Sequence, residues 1–164
     1  MKIVLVLTTF IALALCASAR SLSADLPTKK VLTLEAARQI ATAAEHHARD
    51  HQWNVCIAIV DDGGHLIYFQ RMDGTQHGSV TVSQRKAQTA IGFKRSSKSF
   101  EDGIAAGRNA LLALPGATPL EGGIPLTLDG QMIGAIGVSG VTAQQDGQIA
   151  QAGADALPRV AGGK

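Results

Sequence analysis

Three histidines lie within six positions in the stretch ATAAEHHARDHQW, residues 41–53. An imidazole nitrogen can ligate a metal ion or a haem iron, so His46, His47 and His51 are the first candidates for chemistry. On a helix of about 3.6 residues per turn, His51 falls inside an apolar arc and His47 falls at its edge. His46 points to the opposite, polar side and is expected to be solvated. The arc consists of Leu34, Ala37, Ile40, Ala41, Ala44 and Ala48.

The spacing of His47 and His51 leaves two interpretations open. Two histidines four positions apart on a helix can chelate one metal ion, but the sequence has no HExxH and no evident third ligand, so a closed zinc site is not predicted. A single histidine that serves as the axial ligand of a haem needs only one imidazole and an apolar slot. The alternative is that both are ordinary core or boundary residues.

Basic residues form a second group of candidates. Arg71 ends a predicted strand, and Arg85 and Lys86 lie within the next predicted helix. If one of them faces the sheet, its charge needs an anionic partner or a water-filled cleft. A ligand carboxylate would serve, and so would Asp73 or Glu121 as an internal partner.

Other motifs predict structure rather than catalysis. The glycines of GAIGVSG lack the spacing of a phosphate-binding loop, and we expect Gly134, Gly137 and Gly140 to let another backbone or a flat ligand approach the sheet closely. Ser139 lacks the GxSxG elbow of a serine hydrolase. Cys56 lies in the apolar run VCIAIV and is expected to be a buried, inert thiol.

The elements that must position these residues follow from periodicity and turn residues. Apolar runs separated by DGG and DG predict two β-hairpins, and the remaining stretches have helical patterns. Tight hairpins imply antiparallel pairing, so the predicted fold is α+β, a single compact domain with an antiparallel β-sheet flanked by helices. The helices are predicted at 33–50, 80–95, 96–114 and 142–157, and the hairpins at 53–73 and 124–140.

The ends of the chain are predicted to lie outside this domain. A positive start, an apolar run from Ile3 to Cys16 and the small residues ASA predict a signal peptide at 1–19, and hence an exported, periplasmic or extracellular protein. A polar lead (20–32), the domain (33–157) and a frayed tail (158–164) follow. Removing the signal takes away Lys2, so the formal net charge of +2 falls to +1, which gives no argument for nucleic-acid binding.

Five motifs occur in the order typical of one family. They are LTLEAARQIATAAEHHA, IAIVDDGGHLIYFQRMDG, SVTVSQRKAQTAIGF, LEGGIPL and MIGAIGVSGVTAQQDGQIAQAGADAL. Through them the chain resembles the GlcG/HbpS-like family, which is similar to the C-terminal domain of PduO-type proteins, and the resemblance covers nearly all of the mature chain. It implies an oligomeric domain that binds haem, with a first-helix histidine as the iron ligand in some relatives. It therefore makes His47 or His51 the candidate axial ligand, with Arg71 and Lys86 as candidate contacts of the propionates.

The resulting hypothesis is an exported, non-enzymatic haem-binding protein that stores, senses or transfers haem and forms a homo-oligomer. One alternative is an enzyme or accessory protein that acts on small hydroxy or oxo acids, with Arg71 or Lys86 anchoring the carboxylate, or that takes part in corrinoid metabolism. Another is an oligomerising sensory module that binds a sensor or membrane-protein partner.

Overall fold

A computed structural model describes residues 25–162. The predicted signal peptide, residues 1–19, therefore lies outside the described residues. The helices are α1 (Leu34–Asp50), α2 (Ser79–Gly92), α3 (Lys98–Ala105), α4 (Ala143–Ala154) and α5 (Leu157–Gly162), with a 3-10 helix at Asn109–Ala113. The strands are β1 (Cys56–Asp61), β2 (Leu66–Arg71), β3 (Gly123–Leu128) and β4 (Gln131–Ser139).

The four strands form one antiparallel sheet in the order β2-β1-β4-β3, which confirms the predicted α+β fold. Both predicted hairpins are present, β1–β2 and β3–β4. The first turn is held by the Asp61 carboxylate, whose Oδ1 accepts hydrogen bonds from the backbone N–H groups of Gly63 (2.9 Å) and His65 (2.8 Å). This is the local bond by which aspartate favours turns.

Helices cover both faces of the sheet. Ile57 and Ile59 of β1 belong to the larger core cluster, which α1 and α4 complete on one face. Val60 of β1 belongs to a smaller cluster on the other face, formed with Ala87 and Ala90 of α2. The alternation along β1 follows from the two-residue period of a strand. Within residues 25–162, no helix combines the length and apolar character that a membrane span requires.

Helix α2 lies unusually close to the sheet because two paired glycines leave room for its backbone. Gly123 of β3 and Gly137 of β4 are register partners. A methyl group at Gly137 would overlap the carbonyl oxygen of Ser83, and one at Gly123 would overlap the carbonyl oxygen of Lys86. The expectation that the β4 glycines admit another backbone is therefore confirmed for Gly137, and the backbone is that of α2.

Helix α1 follows the prediction in its middle and departs from it at both ends. The side chains from Ala37 to Ala48 that were assigned to the apolar arc are buried, but Leu34 is 46% exposed. The helix ends at Asp50, so His51 is its C-cap residue and is exposed, and its predicted place inside the arc is wrong. Periodicity fixes the direction of a side chain only while the helix continues.

The predicted frayed tail is also corrected. Residues 158–162 are helical, as part of α5, and Leu157 at its start is 2% exposed in the core. The helical stretch predicted at 96–114 is divided into α3 and the 3-10 helix.

The close packing of α2 on β4 predicts that alanine substitutions at two glycines have very different effects on the free energy of unfolding. Gly137→Ala should lower the free energy of unfolding by about 1–3 kcal/mol or more, because the new methyl group forces α2 away from β4. Gly92→Ala, at the end of the same helix, meets nothing within 4 Å and should be neutral or stabilise by up to about 1 kcal/mol. Urea denaturation of the two variants measures both effects, and equal midpoints would contradict the proposed role of Gly137.

Candidate functional site

Most of the predicted site residues gather at one end of the sheet. Cys56 at the start of β1 pairs with Arg71 at the end of β2 and with Ser139 at the end of β4. The C-terminal end of α1 leads to the same place through His51 and Trp53. Antiparallel pairing therefore brings together segments that are far apart along the chain.

His47, His51 and Trp53 form an aromatic cluster, called here the histidine–tryptophan cluster. The His51 ring stacks on the Trp53 ring with 4.5 Å between centroids and 22° between planes. The His47 ring lies 4.5 Å from the His51 ring and 6.2 Å from the Trp53 ring. The three rings pack against one another, tilted by 22° to 55°, with His51 exposed and His47 and Trp53 half-buried.

The tautomer of His51 follows from one contact. Its Nδ1 lies 2.8 Å from the backbone carbonyl oxygen of His47. A carbonyl oxygen can only accept, so Nδ1 carries the proton, and in the neutral ring Nε2 keeps a free lone pair. Metal-binding histidines are typically oriented in this way, with one nitrogen donating to a carbonyl group and the other facing the metal.

His47 differs from His51 in the burial and hydrogen bonding of its ring. Its Nε2 is buried and has no hydrogen-bond partner among the residues that the structure describes. A buried polar atom without a partner costs free energy, about 1–3 kcal/mol, and calls for an explanation such as a missing ligand. His46 is exposed, as predicted.

Arg71 is exposed at the edge of the same end of the sheet. Its Nη1 donates to His77 Nδ1 at 3.1 Å, and within residues 25–162 its guanidinium has no carboxylate partner within ion-pair distance. An exposed guanidinium in this state can take a carboxylate from a ligand.

Lys86 is the buried member of the predicted site. Its Nζ donates to Asp146 Oδ2 at 2.7 Å, and the two side chains are only 2% and 3% exposed. For Lys86, neither of the internal partners that the sequence offered, Asp73 and Glu121, is the one observed, because Asp146 takes that place. Burial raises the pKa of the Asp146 carboxyl group, and the charge of Lys86 opposes that rise.

The glycines of LEGGIPL make room for this lysine. Gly122 has a positive φ of +124°, and a methyl group there would lie 2.9 Å from Lys86 Nζ. Gly123 faces the Lys86 carbonyl oxygen. One glycine therefore accommodates the ammonium group, and the next accommodates the backbone of the same residue.

A cavity of about 480 Å³ opens beside the ion pair. On its wall the Ser139 hydroxyl donates to Ser79 Oγ at 3.2 Å, and Gln76 Nε2 donates to the same oxygen at 3.1 Å. Lys86 and Asp146 also line it, with the apolar side chains of Val82, Leu120 and Val141. A concave space with a few polar groups and apolar walls is the usual form of a small-molecule site.

Sequence reasoning missed Asp146, although a signal was present. Asp146 lies on the same helical face as the buried residues Ile149, Ala150 and Gly153 of α4. A carboxylate on a buried helical face needs a partner of opposite charge. Lys86 likewise lies on the buried face of α2. The two buried charged residues have opposite charges, so each could have been predicted as the partner of the other.

The described residues support neither a reactive cysteine thiolate nor a metal site with three or more protein ligands. Cys56 is fully buried and burial raises the pKa of its thiol, which confirms the prediction of a buried thiol and disfavours the reactive thiolate. Residues 25–162 contain no group of three or more His, Cys, Asp or Glu side chains placed to hold a metal ion.

Comparisons with known proteins agree on one family. The model of the family described as "Haem degrading protein HbpS-like" matches residues 32–155. Protein GlcG of Escherichia coli K12 is 43% identical over 112 residues, which are 68% of this chain and 84% of GlcG. A double mutant of HbpS from Streptomyces reticuli has a TM-score of 0.73 at 33% identity, covering 85% of this chain and 98% of that one. A PduOC–heme complex has a TM-score of 0.70 at 29% identity, covering 77% and 95%.

The buried ion pair yields a stability prediction. Lys86→Met should lower the free energy of unfolding by about 3–5 kcal/mol, because it leaves the Asp146 carboxylate buried without its partner. The matched control is Lys98→Met, since Lys98 pairs with Asp102 at 2.8 Å and with Glu121 at 3.3 Å, but its own side chain is 50% exposed. That change should cost no more than about 1 kcal/mol. Chemical denaturation compares the two, and a Lys86 variant as stable as the Lys98 variant would contradict the prediction.

Proposed function

The chain belongs to the HbpS-like family, and we propose that it binds haem at the histidine–tryptophan cluster. The observation that carries the proposal is a pair of imidazole nitrogens, His51 Nε2 and His47 Nε2, that have no hydrogen-bond partner within residues 25–162. Support also comes from the relative whose structure is a complex with heme.

The residues of the cluster fit the chemistry of a haem. A histidine that ligates the iron must be a neutral imidazole with an accessible lone pair, and the porphyrin needs an apolar surface. Trp53 provides an apolar ring that is fixed by stacking on His51. A bound haem would supply an iron centre for ligand binding or electron transfer, while the chain would supply the ligand, the apolar surface and the charge partner.

The two histidines differ in how readily they could meet the iron. His51 is exposed and its ring is oriented through Nδ1, so Nε2 is free to coordinate without rearrangement. His47 Nε2 is enclosed, so it would coordinate only after the neighbouring rings move. We therefore take His51 as the first candidate for the ligand and His47 as the second.

Arg71 is the candidate partner of a propionate. It is exposed and lies at the same end of the sheet as the cluster. As the register partner of Cys56, however, its side chain leaves β2 on the face that α2 covers, where it donates to His77, whereas the cluster follows α1 on the other face. The contact of Arg71 with a propionate therefore stays a prediction. The propionate contact predicted for Lys86 stays a prediction, and it would require the ammonium group to leave Asp146.

Titration of the mature chain with hemin tests the proposal. A saturable shift of the Soret band is expected for the wild type. His51→Ala should weaken haem binding and change the position of the Soret band, because the iron ligand is lost. His47→Ala tests in the same way whether the second candidate is the ligand. His46→Ala is the matched control on the exposed side of the same helix and should behave as wild type.

Two outcomes would contradict the proposal. An absence of any saturable shift in the wild type would reject haem binding. A shift that is identical in the wild type and in both the His47 and His51 variants would reject the cluster as the ligand source. Following the Soret band over time, with and without a reductant, also distinguishes stable binding from the haem degradation named in the family description.

We also propose that the protein is exported. Support comes from the N-terminal pattern alone, a positive start followed by an apolar run and ASA. Protein recovered from the periplasm or medium should begin at Arg20, as intact-mass measurement can show. Recovery solely as a cytoplasmic chain that retains its first residues would contradict export. Homo-oligomer formation and a sensor or membrane-protein partner stay predictions.

A further inference from the structure

We propose that the cavity beside Lys86 and Asp146 binds a small uncharged aldehyde, and that Lys86 holds it as an imine. The site is lined by α2, the end of β4 and the start of α4, whereas the histidine–tryptophan cluster lies at the end of α1. The inference is therefore independent of haem binding.

The amine of Lys86 lies at the wall of the cavity. Lys86 is among the largest fully buried side chains of the described residues, yet it also lines the cavity. Among residues 25–162, the Lys86 Nζ donates one hydrogen bond to a side chain, that of Asp146. An ammonium group has three donors, so the group is able to meet a further acceptor from the cavity.

Asp146 provides a base beside the amine. A protonated amine is not a nucleophile, and Asp146 Oδ2 at 2.7 Å is placed to take its proton. Burial favours the protonated carboxyl group, because it raises the pKa of Asp146. The pair can thus pass from ammonium and carboxylate to amine and carboxylic acid without creating a net charge in the interior.

The chemistry balances with these groups alone. The free electron pair of Lys86 Nζ forms a bond to the carbonyl carbon, and the carbonyl oxygen takes up the proton from Asp146. The carbinolamine then loses its oxygen as water, and the nitrogen gives up its remaining protons to that water and to Asp146. The result is a C=N bond at Lys86, with no change in oxidation state and no other reactant.

The walls of the cavity fit a short aldehyde. Ser79 Oγ accepts from Ser139 and Gln76, so its own proton is able to be donated to the carbonyl oxygen, and Val82 and Leu120 can contact an alkyl chain. An uncharged ligand is favoured because Asp146 would repel a carboxylate placed beside Lys86. The volume of about 480 Å³ lies within the usual range of small-molecule pockets.

Reductive trapping on the intact wild-type protein tests the proposal. The probe is propanal with cyanoborohydride, applied for a short time, and peptide mass spectrometry measures propylation at each lysine. Lys86 is 2% exposed, so if its role were only structural it would react more slowly than the exposed lysines. The proposal instead expects Lys86 to react about ten-fold faster than the exposed Lys94 and Lys98, because the cavity positions the carbonyl group. Slower labelling of Lys86 than of these lysines would overturn it.

A cavity-filling variant supplies the control without touching the ion pair. Leu120 is 43% exposed and lines the cavity, so Leu120→Trp should fold and should slow labelling of Lys86 about ten-fold. Leu112 is 64% exposed and lies outside the cavity lining, so Leu112→Trp should leave the rate of Lys86 labelling unchanged. Equal labelling of Lys86 in the two variants would overturn the cavity as the site. Pyruvate that labels Lys86 faster than propanal would overturn the choice of an uncharged ligand.

Discussion

The seating of α2 on the paired glycines Gly123 and Gly137 is the constraint on which the rest of the structure depends. Because neither position has a side chain, the carbonyl groups of Ser83 and Lys86 lie directly on the sheet. A helix held so closely has little freedom to rotate or slide, since protein interiors are close-packed. The direction of the Lys86 side chain is therefore determined by the backbone, and it passes into the space that Gly122 leaves open.

The ion pair between Lys86 and Asp146 then joins the two layers of helices. Lys86 belongs to α2 on one face of the sheet, and Asp146 belongs to α4, whose Ile149 and Ala150 lie in the core on the other face. A buried ion pair is not in itself an efficient source of stability, because desolvation offsets much of the attraction. Its placement on the wall of a cavity suggests that function, rather than stability, accounts for a charged pair where apolar residues would serve packing equally well.

The parts of the structure that the sequence predicted well are those that depend on local pattern. The arc from Ala37 to Ala48 follows from helical period, and the hairpin at Asp61 follows from turn chemistry. What could not be predicted depends on distant contacts or on where an element ends. The partner of Lys86 lies 60 positions away. His51 left the predicted arc because α1 ends one residue before it.

The two candidate sites lie at the same end of the sheet and share one support. Gly140 follows β4, and its Cα is so close to the backbone of Asn54 and Val55 that a methyl group there would overlap the Asn54 carbonyl oxygen. The segment that leaves Trp53 is therefore pressed against the end of the strand that carries Ser139. The glycines of GAIGVSG thus act through close backbone packing. Gly137 lies against the backbone of α2, and Gly140 lies against the backbone of Asn54 and Val55, which follow Trp53.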